Sequence, residues 1–119
     1  MQQRLIWGGL LLKDKTITMG LDNLIGNRSI ALVWFRDVPT TLRALSVFEL
    51  YIINDNAKFS REMRKIQVID LIEYIIQQAT IRSDDSRFSA IRDFYRKYFG
   101  RDPPIYVGDG IIQQKSWID

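Results

Sequence analysis

Leu42-Arg43-Ala44-Leu45-Ser46-Val47-Phe48-Glu49-Leu50-Tyr51-Ile52-Ile53 is the stretch whose reading decides the fold. Leu42, Leu45, Phe48 and Ile52 recur at roughly helical spacing, but residues 47–53 are rich in β-branched and aromatic side chains, and Val47 and Leu50 interrupt the polar face. A helix is preferred and a strand is the alternative. Upstream, Asp37-Val38-Pro39-Thr40 favours the helix, because Pro is tolerated in a first turn and Asp or Thr caps its free amides.

Before that point the chain reads as strands. Residues 4–12 carry Gly8-Gly9, which suits a tight turn or a bulge, and Lys15-Thr16-Ile17-Thr18-Met19 alternates as a half-buried strand does. Ser29-Ile30-Ala31-Leu32-Val33-Trp34-Phe35-Arg36 is a continuous apolar run that predicts a central strand covered on both faces. After it, Asn54-Asp55-Asn56 ends the decisive stretch and Ser60 caps a helix running to about Ile81. Val68, Leu71, Ile72, Ile75, Ile76 and Ala79 form its apolar stripe. Phe59, Met63 and Ile66 lie on the opposite side of that wheel, while Lys58, Arg61 and Lys65 lie over the apolar face. Either the helix breaks near Lys65, or its first turns reach beyond the domain to contact something else.

Ser83-Asp84-Asp85 opens a last helix with the stripe Phe88, Ile91, Tyr95, Tyr98 and Phe99, closed by Gly100 before Pro103-Pro104. Ile105-Tyr106-Val107 and Ile111-Ile112-Gln113 flank Gly108-Asp109-Gly110, a hairpin signature. The architecture expected is therefore α+β: an N-terminal antiparallel sheet of about three strands, covered by two or three helices, with a C-terminal β-hairpin. At 119 residues, 46% hydrophobic and 26% charged, residues 1–119 are expected to form one domain.

Composition narrows the chemistry more sharply than the fold. The chain has no histidine and no cysteine. Zinc sites built on those ligands, Ser-His and Cys-His nucleophile pairs, disulfides and imidazole acid/base catalysis are thereby excluded. Neither a phosphate-binding loop nor a G-x-G-x-x-G fingerprint occurs. Asp70 with Glu73, and Asp84 with Asp85, are the acid pairs that could hold a divalent cation, but a polar helix face and a helix cap explain them more simply. No cofactor, no metal and no catalytic residue is expected. The apolar runs are far shorter than the ~18 residues of a membrane span, so no membrane association is expected. The short apolar stretch at residues 5–12 lacks a small-residue cleavage site, and an intracellular, cytoplasmic setting is expected.

The net charge of +3 is spread as +2 over residues 1–39, +1 over 40–82 and zero over 83–119, so no basic arm stands out. Two local clusters do. Residues 87–101 carry Arg87, Arg92, Arg96, Lys97 and Arg101 against Asp93 alone, interleaved with five aromatic rings. Guanidinium groups pair with phosphates while rings stack on bases, the combination nucleic-acid binding uses. The second cluster is Lys58, Arg61, Arg64 and Lys65, where positive charge at a helix N-terminus opposes the helix dipole. The simpler alternative for both is a solvated helix face. The functional expectation is a non-enzymatic nucleic-acid-binding or nucleoprotein accessory domain, contacting DNA or RNA through Arg92, Arg96, Lys97, Arg101, Lys58, Arg61, Arg64 and Lys65. The alternative is an assembly or adaptor domain acting through protein contacts. A homodimer is expected, because the chain has more apolar stripes than a core of this size obviously needs.

Overall fold

The computed structural model describes residues 28–54 and 59–113. A short helix α1 (Arg28–Ala31) passes directly into a 3-10 turn (Leu32–Phe35), followed by α2 (Val38–Ile53), α3 (Arg61–Gln78), α4 (Ser86–Phe99) and a hairpin of β1 (Ile105–Tyr106) and β2 (Ile111–Ile112). The hairpin is antiparallel, with Ile105 opposite Ile112 and Tyr106 opposite Ile111.

The α+β expectation is corrected by this architecture, because the described residues are mostly helical and their only sheet is the two-stranded hairpin. No N-terminal three-stranded sheet forms among the described residues. Its intended central strand, residues 29–36, is helical, and the strands read over residues 4–12 and 15–19 lie outside the described residues. Burial explains the helical outcome: Ala31, Trp34 and Phe35 turn inward at i, i+3 and i+4, while Val33 between them is 54% exposed. An unbroken apolar run hides that period, since a helix segment and a fully covered strand look alike in sequence.

The decisive stretch is helical. Asp37 and Thr40 form a reciprocal capping box, with the Thr40 amide donating to Asp37 Oδ1 at 2.9 Å and Pro39 in the first turn. These hydrogen bonds, led by the Thr40 side chain, hold the Asp37 carboxyl below its usual range. Ala44, Leu45, Val47, Phe48, Tyr51 and Ile52 are buried, so the β-branched and aromatic residues near its end serve the core instead of a sheet.

Ser60 caps α3 by accepting from the Met63 amide. The helix ends in a Schellman motif, with Ile81 N–H donating to Ile76 O at 2.9 Å and Thr80 N–H donating to Gln77 O at 3.3 Å. Thr80 occupies the left-handed position with φ 48°, where glycine is usual. Gly100, with φ 69°, closes α4 in that same conformation without a Cβ penalty.

Contacts between the helices set their directions. Arg87, in the first turn of α4, donates to Phe35 O, and Lys97 near its end meets Glu49 in α2, so α2 and α4 run parallel. Tyr51 Oη donates to Gln67 Oε1 at 2.6 Å, and Arg64 donates to Tyr51 O and Ile52 O, which places the start of α3 beside the end of α2. Between them lies one core, in which Phe48 stands 6.1 Å from Phe35 and 6.5 Å from Phe94, ring centre to ring centre. That aromatic chain ties the 3-10 turn, α2 and α4 together.

Candidate nucleic-acid interface

Arg64 departs furthest from its expected role. It is only 4% exposed, and its Nη1 donates to the carbonyls of Tyr51 at 2.7 Å, Ile52 at 2.9 Å and Asn54, while Nε donates to Phe59 O at 2.9 Å and Ser60 O at 3.2 Å. The guanidinium thus caps the carbonyl end of α2 and fastens the connection to α3. Carbonyls in a last helical turn have no intrahelical donor and carry the negative end of the dipole, so a buried cation is well placed there. The sequence carries the signal: Arg64 lies one turn before Val68, in phase with the stripe Val68, Leu71, Ile72 and Ile75. A charged side chain at an apolar position is satisfied by backbone, and α3 stays continuous through Lys65. The possible break at that residue does not occur.

Of the rest of this cluster, Arg61 is exposed and Lys65 is half-buried. Arg61 reaches Ile53 O at 3.5 Å, and Lys65 lies 3.9 Å from Glu62. Lys58 lies outside the described residues. Ile53, Met63 and Ile66 are 44%, 45% and 52% exposed, so the outward apolar stripe at the start of α3 remains on the surface.

On α4 the cations are engaged one by one. Arg87 and Asp85 make a close pair at 2.6 Å, which lowers the carboxyl and raises the guanidinium from their ordinary values. Arg96 Nε stands 2.9 Å from Asp102 Oδ1, and Lys97 Nζ stands 3.2 Å from Glu49 Oε2. Tyr98 Oη donates to the same Glu49 oxygen; that bond, followed by the Lys97 ammonium, holds the Glu49 carboxyl below its usual range. The Arg92 guanidinium lies 5.8 Å from the centre of the Phe88 ring, and its buried Nε has no hydrogen-bond partner. Arg101 is half-buried, and its charge acts on Glu73 and Tyr95.

The α4 cations do not form one face. Arg92 and Arg96 are one turn apart on a flank, Lys97 is about 100° further round, and exposed Asp93 falls between Arg96 and Lys97 on the helix surface. What the fold does bring together is the two clusters. Arg61, Arg64 and Lys65 start α3 beside the last turns of α2, and Lys97 reaches Glu49 on that same end of α2. These cations lie far apart in the chain, and α2 is their common support.

Sequence reading paired Asp70 with Glu73 and Asp84 with Asp85. Asp85 caps α4 by accepting from the Arg87 amide at 2.8 Å, and Asp84 lies 4.0 Å from Arg82. Asp70 and Glu73 line a surface cleft with Arg28, Tyr74, Gln77 and Ile111. Among the described residues, no group of three or more acidic side chains is gathered as a metal site, and no helix is long and apolar enough to cross a membrane. No protein-family model matches the chain, and no curated protein or solved structure is significantly similar to it.

Proposed function

We propose that this protein is a non-enzymatic nucleic-acid-binding or nucleoprotein accessory domain whose contact surface lies around the last turns of α2. The observation that carries this reading is the convergence of cations from α3 (Arg61, Lys65) and α4 (Lys97) on that end of α2, with Arg96 one residue from Lys97. Their acidic neighbours do not oppose it strongly. Exposed ion pairs are worth about 0–1 kcal/mol, so phosphates replace Glu62 and Glu49 at small cost. Arg64 belongs to the scaffold under this surface. Arg92 lies one turn from Arg96 on the flank of α4, and Arg101 follows the end of that helix, near Glu73. An intracellular setting suits the reading, and the lack of cysteine fits a reducing compartment.

The test is binding to random single- and double-stranded DNA and RNA across a salt series. Lys97→Ala combined with Arg61→Ala should weaken binding alike on all sequences and make the slope of log affinity against log salt shallower by about one for each phosphate that is no longer neutralised. Unchanged binding in that double variant, or no binding by the unaltered protein at low salt, refutes the reading.

Exposed Ile53, Met63 and Ile66 at this same end favour a second reading, assembly through protein contacts, with a homodimer as its simplest form. Under it, Met63→Glu with Ile66→Glu lowers the mass measured in solution without unfolding the chain. A monomeric unaltered protein at micromolar concentration excludes the homodimer.

A further inference from the structure

We propose that the cleft between α3 and the C-terminal hairpin binds a small zwitterion, a molecule carrying an ammonium group and a carboxylate a few bonds apart, as a free α-amino acid does. The cleft has a volume of about 400 Å³ and is lined by Arg28 from α1, Asp70, Glu73, Tyr74 and Gln77 from α3, and Ile111 from β2. It holds both signs of charge without joining them. Arg28 stands over the Tyr74 ring, 5.2 Å from its centre, and among the described residues neither Asp70 nor Glu73 is within ion-pair distance of it. The two carboxylates are one helical turn apart on the same face of α3, a spacing that lets both serve one ammonium group. Arg28 presents a planar fork that matches a carboxylate, while Tyr74 and Ile111 offer apolar surface.

A second observation concerns the surroundings of Glu73. Tyr95 is fully buried, its hydroxyl has no hydrogen-bond partner, and its strongest charged neighbour is Glu73, followed by Arg101 and Asp70. Glu73 is itself half-buried, and its carboxyl is pushed above its ordinary value by burial, against an opposing hydrogen bond from Gln113. A ligand ammonium at Glu73 favours the ionised carboxylate, adding to the Arg101 charge that already acts on it. Ligand binding therefore supplies charge compensation that the side chains of the cleft do not provide among themselves.

The experiment is amide chemical-shift mapping of the full chain with L-leucine and L-phenylalanine, beside two truncated controls: 3-methylbutan-1-amine, which lacks the carboxylate, and 4-methylpentanoate, which lacks the amine. Saturable shifts confined to α1, the second half of α3 and the hairpin are expected with the amino acids, and binding about tenfold weaker or more with either control. Glu73→Gln and Arg28→Ala should each weaken binding about tenfold while the helical circular dichroism stays unchanged. Affinity should rise as pH climbs through the window above the ordinary carboxyl value of 4.5 in the unaltered protein, as Glu73 ionises, and stay flat in Glu73→Gln. Absence of shifts at about 20 mM amino acid, controls that bind as well as the amino acids, or binding retained in both variants would each overturn the proposal. The basic surface at the end of α2 is a separate site, so nucleic-acid binding in the same preparations reports on that reading alone.

Discussion

Replacing Arg64 by methionine tests the structural account most directly. Methionine keeps much of the length and removes every donor. In the native helix end, Leu50 O accepts from the Asn54 amide at 3.0 Å, Ile53 O accepts from Arg61 at 3.5 Å, and Tyr51 O and Ile52 O accept from Arg64. Arg64 also serves Asn54 O, Phe59 O and Ser60 O, so three N–H bonds are shared among five carbonyls. A hydrogen bond to a charged donor contributes about 1.5–3 kcal/mol when its loss leaves a buried partner unsatisfied. Three of them set an upper range, and water entering the gap recovers part of it. We expect a loss of about 3–5 kcal/mol, the range found when one side of a buried charged pair is removed. Domains of this kind are stable by about 5–15 kcal/mol, so the variant should keep a cooperative transition at a much lower urea midpoint. Arg64→Lys should recover only part of the loss, because an ammonium group cannot span the same set of carbonyls. A decrease below about 1 kcal/mol in Arg64→Met, measured by urea unfolding, would show that the guanidinium does not hold the end of α2.

Four further outcomes follow from other sites. Thr80→Gly should stabilise by about 1 kcal/mol in thermal or urea unfolding, since Thr80 holds φ 48° at the Schellman position; destabilisation would exclude that geometry. Tyr95→Phe and Thr41→Val each remove a buried hydroxyl without a hydrogen-bond partner, and should be neutral or stabilising by up to about 1 kcal/mol, with a clear loss as the contrary result. Glu73 has a raised carboxyl value, so the folded state holds its proton more tightly than the unfolded chain. Its penalty is absent well below the ordinary value of 4.5 and grows as pH rises through the window above it. Glu73→Gln should therefore raise the melting temperature at neutral pH and have little effect near pH 3.5, roughly one unit below that value; an equal gain at both would refute burial as the cause. Phe48→Ala should cost about 3–5 kcal/mol, because the ring is fully buried between Phe35 and Phe94, whereas Lys97→Ala should leave stability nearly unchanged, its ammonium being exposed to solvent.

Local sequence by itself determined the elements whose signals are short-range. Asp37, Ser60 and Asp85 cap their helices, Gly100 closes α4, and the glycines around Asp109 turn the hairpin, because each device needs only a few neighbouring residues. The stripe from Val68 to Ile76 declared its buried face for the same reason: helical period alone assigns it. Residues 29–36 were not legible, because a run apolar on every side carries no period and its helical state rests on what Ala31, Trp34 and Phe35 pack against. The candidate site divides along the same line. That the clusters are basic is a fact of composition, but which cations are available is a tertiary matter. Arg64 and Lys65 are adjacent in the chain, and a shift of about 100° around one helix sends the first into the carbonyls of α2 and leaves the second partly open to solvent. The ion pair of Lys97 with Glu49 joins residues 48 positions apart, and the meeting of both clusters at one end of α2 depends on it. No local pattern encodes such contacts, because they arise only when α2 and α4 pack in parallel around a shared core.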